Sequence, residues 1–436
     1  MQRRVLIEDL GQHGEGVGRV DGRVVFIPGA TLGDEVLMAF NPSRKRMAQG
    51  RLLEVVTPSA DRVPAACAVA KECGGCQTME LSYPAELAWK RRRVEQTLLR
   101  IGGVAAEVEP TRPSKSPLGY RHKATMPAGG LAGKIRLGYY APFSHTLVAA
   151  ETCPVLHPDL NRAALAVRQA ADQMGVGPER GESGLRSLMA RRSSLTGDLQ
   201  LVLTGHRLSR FPWDTVLPPL LPGLAGITLA WPTDSANRLV GVKGELVWGE
   251  ARIKEQLLDA QFEVSAFSFF QANPALAAEV ALTLRQTLGS VPGMLVDLYA
   301  GVGTFALTLA DLADSTVAVE AVTDAVEDGR LNARINAQPA VRFLHAPAEA
   351  GLAKLVAGGE AIGAVVIDPP RRGAPELMAP LLDAKIPRIA YVSCDVATLA
   401  RDLAELTAGY RLERVVPYDF FPRTVHVETL AVLERR

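Results

Sequence analysis

Hydrophobic and polar positions divide the chain into two regimes. Over residues 1–58, apolar residues come in short β-rich runs: Val5–Leu10, Gly16–Val20, Val24–Ile27, Glu35–Phe40 and Gly50–Val56. Gly, Asp and Pro interrupt them about every ten residues, the spacing of a small β-barrel. His13-Gly-Glu-Gly-Val-Gly and Pro28-Gly-Ala-Thr-Leu-Gly-Asp supply its turns. From about residue 263 the pattern becomes strand alternating with helix. Met294–Tyr299, Thr316–Glu320, Val341–His345, Ala364–Asp368, Ile389–Ser393 and Tyr410–Pro417 read as strands, a last strand runs over Thr424–Glu434, and Thr304 opens a helix. Such alternation predicts a doubly wound α/β domain with a largely parallel sheet. Between the two regimes the chain is β-rich and irregular. Within it Tyr83–Leu99 has helical period and carries Lys90-Arg-Arg-Arg93, whose simplest reading is a solvated helix face.

Composition narrows the setting. A length of 436 residues predicts two to four domains with ample core. The start, Met1-Gln-Arg-Arg-Val-Leu, lacks the apolar stretch of a signal peptide, and no apolar run is long enough to span a bilayer. The expectation is a cytoplasmic protein with no membrane partner. Net charge is only +1, so any contact with nucleic acid must come from local patches. Arg44-Lys45-Arg46 in a barrel loop is one, and the mixed aromatic and basic runs Tyr120-Arg-His-Lys123 and Leu137-Gly-Tyr-Tyr140 are weaker ones.

The five cysteines separate into four and one. Cys67, Cys73 and Cys76 lie within ten residues, and Cys153 follows much later. In a reducing compartment such a set implies an inorganic centre. Gaps of five and two residues with a distant fourth thiol favour a [4Fe–4S] cluster over a zinc site. The fifth, Cys394, ends the strand Ile389–Ser393 where a helix begins, at the edge where open α/β sheets bind ligands. A helix N-terminus and nearby Arg371, Arg372 or Arg423 are expected to lower its pKa.

Around it stand further chemical groups. Asp297-Leu-Tyr-Ala-Gly301-Val-Gly303-Thr-Phe-Ala satisfies a loose dinucleotide pattern after a strand. Asp297 before the glycines would hold a cationic or amino-bearing ligand, and Glu320 at the next strand's end would hold a ribose diol. Asp368-Pro-Pro-Arg-Arg-Gly is a stiff loop with free carbonyls, suited to a ligand or base bearing N–H donors. These favour S-adenosylmethionine over a nicotinamide dinucleotide. Cys394 and Glu428 then form a chemical pair. Methylation at C5 of a pyrimidine needs a nucleophile that adds to C6 and a base that later removes the C5 proton. Glu428 needs desolvation to raise its proton affinity. His426 reads as structural or substrate-positioning.

Taken together, these motifs resemble the S-adenosylmethionine-dependent RNA (uracil-C5)-methyltransferases over nearly the whole chain. The resemblance implies a Rossmann-like class I methyltransferase fold at residues 79–109 and 263–436. It implies an OB-like TRAM barrel at 1–58 and a β-rich iron–sulfur domain at 59–78 and 110–262. Cys67, Cys73, Cys76 and Cys153 match the family's [4Fe–4S] ligands. Gln271 in Ser268-Phe-Phe-Gln-Ala-Asn matches a cofactor contact, as do Asp297, Tyr299, Gly301, Gly303, Glu320 and Asp368. Thr304 stands where some relatives carry an Asn. Val392-Ser-Cys394-Asp matches the nucleophile motif, and Phe421-Pro-Arg-Thr-Val-His-Val-Glu428 the one with the base. Barrel plus cluster resembles the 23S ribosomal RNA enzymes, with the tRNA T-loop enzymes as the alternative substrate class and a monomer expected. A non-catalytic iron–sulfur RNA-binding sensor is the rival from outside enzymology.

Overall fold

The computed structural model describes residues 1–40, 47–131, 134–181, 183–233 and 238–436. Arg44-Lys45-Arg46, read above as a phosphate-contacting loop, lies outside the described residues. Among the described residues no helix is long and apolar enough to cross a membrane.

Among the described residues, three sheets of six or seven strands and a small two-stranded hairpin carry the fold. The N-terminal sheet runs Gln2–Leu6, Glu35–Phe40, Met47–Thr57, Arg23–Ile27, Gly16–Val20, Asp9–Leu10 in spatial order. The run Val5–Leu10 is thus two strands, not one. Between them the Ile7 amide extends the first pairing by one step to the Asp34 carbonyl at 2.9 Å, and the Glu8 amide then switches to the Val17 carbonyl at 2.8 Å. Alternate residues Val25, Ile27, Val36 and Met38 fill this sheet's own core.

In the central sheet the order is Gly244–Gly249, Leu224–Ala230, Leu199–His206, Gly184–Arg192, Lys123–Leu131, Lys134–Tyr140, Leu147–Ala149. The helix Pro158–Gln173 closes one face, burying Leu160, Ala163, Val167 and Ala170 against Leu188, Leu201 and Leu203.

The C-terminal sheet has seven strands: Val291–Leu298, Ala313–Glu320, Val341–His345, Ile362–Ile367, Arg388–Ser393, Tyr410–Tyr418 and Glu428–Arg435. Numbered in chain order, they lie as 3-2-1-4-5-7-6. The first five pair in parallel, and the seventh is antiparallel to both neighbours. Successive residues face opposite sides, as a strand buried on both faces requires. Val296, Val365 and Ile389 enter one core, while Leu295, Val366 and Ala390 enter the other.

Two features of this domain depart from the sequence reading. The seventh strand starts at Glu428, not Thr424. Arg423 adopts φ 69°, and the Thr424 hydroxyl donates to the Phe421 carbonyl at 2.7 Å, so the segment before Glu428 is a turn. The change of pattern at 263 falls inside the hairpin Arg252–Leu257/Ala260–Ser265, whose Leu257, Phe262 and Val264 join the core of the C-terminal sheet.

The helix Tyr83–Gly102 also packs on this domain. Val94 and Leu98 enter the same core as Val396 and Leu399, and Leu81 and Trp89 cluster with Leu10 of the N-terminal sheet and Val425. Lys90-Arg-Arg-Arg93 is only in part a solvated face. Lys90 is fully buried, Arg93 is half-buried, and Arg91 and Arg92 are exposed.

Candidate active site

Strands one, two, four and five all end at one edge of the C-terminal sheet, and the antiparallel seventh strand begins there. The ladder pairs Val392 with Leu430 and Ser393 with Thr429. One step further sets Cys394 beside Glu428 on the neighbouring strand, with Cα atoms ~5 Å apart by ladder geometry. A thiol and a carboxyl thus meet from two strands whose apolar bodies are fixed in both cores. Asp368 ends the fourth strand and stands close enough to raise the proton affinity of both.

Electrostatics here run against the expectation of a lowered thiol pKa. The Cys394 thiol is pushed up to about 12, first by burial and then by the charges of Glu428 and Asp368, with Arg371 opposing. The other two arginines are committed elsewhere. Arg372 pairs with Glu376 at 2.8 Å, and Arg423 donates to the Leu81 carbonyl at 2.7 Å. The helix N-terminus does not help either, because Asp395 caps it. Its Oδ1 accepts from the Ala397 and Thr398 amides at 2.9 and 3.0 Å, taking donors that a thiolate would use. Glu428 is 9 % exposed, and burial raises its pKa well above the ordinary carboxyl value, with Asp368 adding to the rise.

Below its pKa a thiol gains thiolate tenfold per pH unit. Alkylation of Cys394 by iodoacetamide in the free protein should therefore climb steadily from pH 7 to 10, and Arg371→Gln should slow it. Site-resolved mass spectrometry reads this, and a plateau below pH 9 would refute the raised pKa.

Next to this pair lies a second acidic group. Asp297 is 1 % exposed; its Oδ2 accepts from the Ala306 amide at 2.8 Å, while its buried Oδ1 has no partner. Burial raises Asp297 to about 8 and Asp368 to about 7. Glu320 accepts from the Gly301 amide at 2.9 Å and the Val322 amide at 2.7 Å. The glycines shape the loop between them. Gly303 has φ 89°, and a Cβ there would come within 2.7 Å of the Phe343 ring. Tyr299 also has positive φ, 63°, and its hydroxyl donates to Glu376 at 3.0 Å, tying the glycine loop to the segment after Asp368. Thr304 begins the short helix Thr304–Thr308. Gln271 arrives from outside the sheet. Its neighbours are anchored, with the His122 amide donating to the Ala272 carbonyl at 2.8 Å and Asn273 donating to the Phe420 carbonyl at 3.2 Å.

Sequence reasoning missed the buried network behind Glu428. Lys90 Nζ donates to Glu86 at 2.9 Å, to Asp419 and to the Phe421 carbonyl at 3.3 Å. Glu86 in turn accepts from the Arg423 amide at 2.8 Å. Lys90, Glu86 and Asp419 are completely buried. A spacing of four between Glu86 and Lys90 is the only part of this visible along the chain.

The cysteines Cys67, Cys76 and Cys153 pack in one cluster with Met79, Tyr120, Val155 and Phe421. Cys73 joins them electrostatically. Burial pushes Cys76 up to about 12, and the charges of Cys153, Cys73 and Cys67 add to it. All four are free thiols, and among the described residues no three His, Cys, Asp or Glu side chains stand ready around a single metal ion. The loop after them is bonded to the segment before Glu428. The Gln77 and Thr78 amides donate to the Arg423 carbonyl at 2.9 and 3.1 Å, and the Tyr120 hydroxyl donates to the Pro422 carbonyl at 3.1 Å.

Known proteins are similar to this chain over nearly its whole length. The family profile described as tRNA (Uracil-5-)-methyltransferase matches residues 233–436, and the TRAM domain profile matches 2–39. An uncharacterised RNA methyltransferase of Halalkalibacterium halodurans is 36% identical over 99% of this chain and 96% of its own. The chain belongs to the RNA uracil-5-methyltransferase family. A second RNA methyltransferase, from Caldanaerobacter subterraneus subsp. tengcongensis, is 33% identical over 98% of this chain and 97% of its own. Among solved structures, the Pyrococcus abyssi tRNA (uracil-54, C5)-methyltransferase in complex with S-adenosyl-L-homocysteine superposes with a TM-score of 0.77. It is 26% identical and covers 99% of this chain and 100% of its own. This uracil-5-methyltransferase is thus an enzyme with a class I methyltransferase fold and an N-terminal TRAM domain, and its partner is RNA.

Proposed function

We propose that the protein methylates C5 of a uridine in 23S ribosomal RNA through a covalent adduct with Cys394, drawing the methyl group from S-adenosylmethionine. The placement of Cys394 and Glu428 on adjacent strands at the ligand-binding edge carries this reading. When bound, S-adenosylmethionine supplies a methyl group activated by a sulfonium charge. The residues at the edge suit such a ligand. Three carboxyls crowd together, Asp297 and Glu428 buried and Asp368 half-buried, Arg371 opposes them at Glu428, and Asp297 Oδ1 lacks a donor. Asp297, Glu320, Asp368, Tyr299, Gln271 and the loop Gly301–Thr304 would hold the cofactor.

The chain's own chemistry is then as follows. Cys394 releases its proton to water in the cleft it opens on, and its sulfur adds to C6 of the uracil, shifting the C5=C6 electron pair toward C5. C5 takes the methyl group. Glu428, as carboxylate, removes the C5 proton, the double bond re-forms, and the sulfur leaves C6 as thiolate. The raised proton affinity of Glu428 suits it to accept a proton from carbon.

The cysteine set supports a [4Fe–4S] cluster held by Cys67, Cys73, Cys76 and Cys153. Burial and then the charges of neighbouring cysteines raise the pKa of Cys73, Cys76 and Cys153, so a cationic centre is needed to hold them as thiolates. A cluster spaces its ligands more widely than one ion does. Its part is to fix the loop whose Gln77 and Thr78 amides bond to Arg423, since the methyl transfer contains no redox step. Barrel and cysteines together favour ribosomal RNA. A tRNA uridine is the second reading, favoured by the Pyrococcus tRNA enzyme, which matches the same chain from end to end.

Labelled methyl transfer to unmodified 23S and tRNA transcripts, followed by nucleoside analysis, tests the reading. The expected product is 5-methyluridine in 23S RNA; label in tRNA alone selects the second reading, and label in neither removes both. Iron and sulfide analysis of anaerobically purified protein should give about four of each per chain, and Cys76→Ser should abolish both.

A further inference from the structure

Two clefts meet at His426. The first, about 540 Å³, opens on Cys394 and is lined by Trp89, Arg92, Arg93 and Arg100. The second, about 680 Å³, runs along the cysteine loop and is lined by His13, Gly29, Lys71, Gln77 and Phe143. Gln12, Val425 and His426 border both. A strand whose target uridine enters the first cleft can therefore continue into the second, to which the mechanism gives no task.

Phe143 is the anomaly in that second cleft. It is 79 % exposed and sits at φ 55°, so a bulky side chain occupies left-handed backbone without burying itself. Such strain costs ~1–3 kcal/mol and marks functional sites when packing does not explain it. Its ring stands edge-on to His13, centroids 5.0 Å apart and planes at 86°. Phe143 belongs to the loop between two central-sheet strands, and His13 to a turn of the N-terminal sheet. Two domains thus each present an exposed ring to one groove. The turn is seated closely: Gly14 has φ 83°, and a Cβ there would meet Gln77 Cβ at 2.3 Å. Lys71, exposed on the same wall, adds a cation suited to phosphate.

We propose that His13 and Phe143 form a stacking platform for a second unpaired base of the substrate RNA, a few nucleotides from the methylated uridine. The inference rests on the RNA-methylation reading and adds a subsite to it. Stacking of one base on an aromatic side chain contributes ~1–3 kcal/mol, or roughly 5- to 150-fold in affinity. Exposure of both rings means that substitutions there leave the fold alone.

Filter binding and methylation kinetics with unmodified 23S and tRNA transcripts provide the test. Phe143→Ala should weaken binding of the preferred transcript roughly 5- to 150-fold and raise KM with it, with a far smaller change in kcat, and Phe143→Trp should restore affinity. In a synthetic fragment around the methylated uridine, abasic replacement at one flanking position should cost wild type a similar factor and cost Phe143→Ala nothing more. Equal affinity of wild type and Phe143→Ala, or no abasic position coupled to Phe143, overturns the platform. If wild type forms no 5-methyluridine, the methylation reading fails, while the binding comparison still decides the platform.

Discussion

Cys394→Ser should lower turnover by at least about 10⁴-fold, the scale seen when a covalent nucleophile is removed. The substitution exchanges one atom in a half-buried side chain, so the ladder between strands five and seven keeps its register. Serine's hydroxyl gives up its proton less readily than a thiol, and a site that already pushes the thiol to about 12 leaves no oxyanion. Glu428→Gln should fail differently. Addition and methyl transfer need only the sulfur and the cofactor, so the amide should trap the methylated RNA on Cys394. Denaturing gels of labelled RNA with each variant separate the outcomes: no shifted band for Cys394→Ser, and an accumulating one for Glu428→Gln. Full activity of Cys394→Ser would sink the covalent mechanism, and a Glu428→Gln enzyme that turns over without the band would remove Glu428 as the base.

The raised thiol pKa gives this pair a consequence for control. In the free protein Cys394 is held as thiol by burial and by Glu428 and Asp368. Such a sulfur is inert toward stray electrophiles. A positively charged ligand beside Asp368 would weaken the carboxylate field that holds the proton on. Activation would then be tied to occupancy of the neighbouring pocket, not built into the empty site.

How much of this was legible along the chain depends on the range of the interaction. Strand runs such as Ala364–Asp368 and Ile389–Ser393 announce themselves, because a strand buried on both faces must be apolar throughout. The barrel's turns are equally local. The field around Cys394 was not legible: the sequence shows Cys394 beside a helix start and near arginines, and both cues point to a lower pKa. What reverses them is spatial. Asp395 takes the helix amides, Glu86 and Glu376 take two of the arginines, and Asp368 arrives from another strand. The hairpin Arg252–Ser265 was hidden for a related reason, since its pattern is β-like while its buried face belongs to the α/β core.

Lys90 is the residue whose sequence context misleads most, and its replacement should have the second-largest effect. Lys90-Arg-Arg-Arg93 looks like a solvated face, yet Lys90 is completely buried and answers Glu86 four residues back and Asp419 329 residues on. Lys90→Met should leave Asp419 buried without its cation, costing ~3–5 kcal/mol, the scale for breaking a buried pair from one side. Turnover should fall with it, because the same ammonium holds the Phe421 carbonyl at the start of the turn that delivers Glu428. Stability and positioning can be told apart with Lys90→Met/Asp419→Leu. Removing a buried pair together is often close to neutral for stability, and Glu86 keeps the Arg423 guanidinium at 3.4 Å, so the denaturation midpoint should return most of the way. Turnover should not return, since the bond to Phe421 stays lost, and the residual activity should show the Glu428→Gln signature, a lingering RNA–protein band. Recovery of turnover in step with stability would reduce the network to a fold element. A stable but slow double variant would make Lys90 a positioning residue for the base.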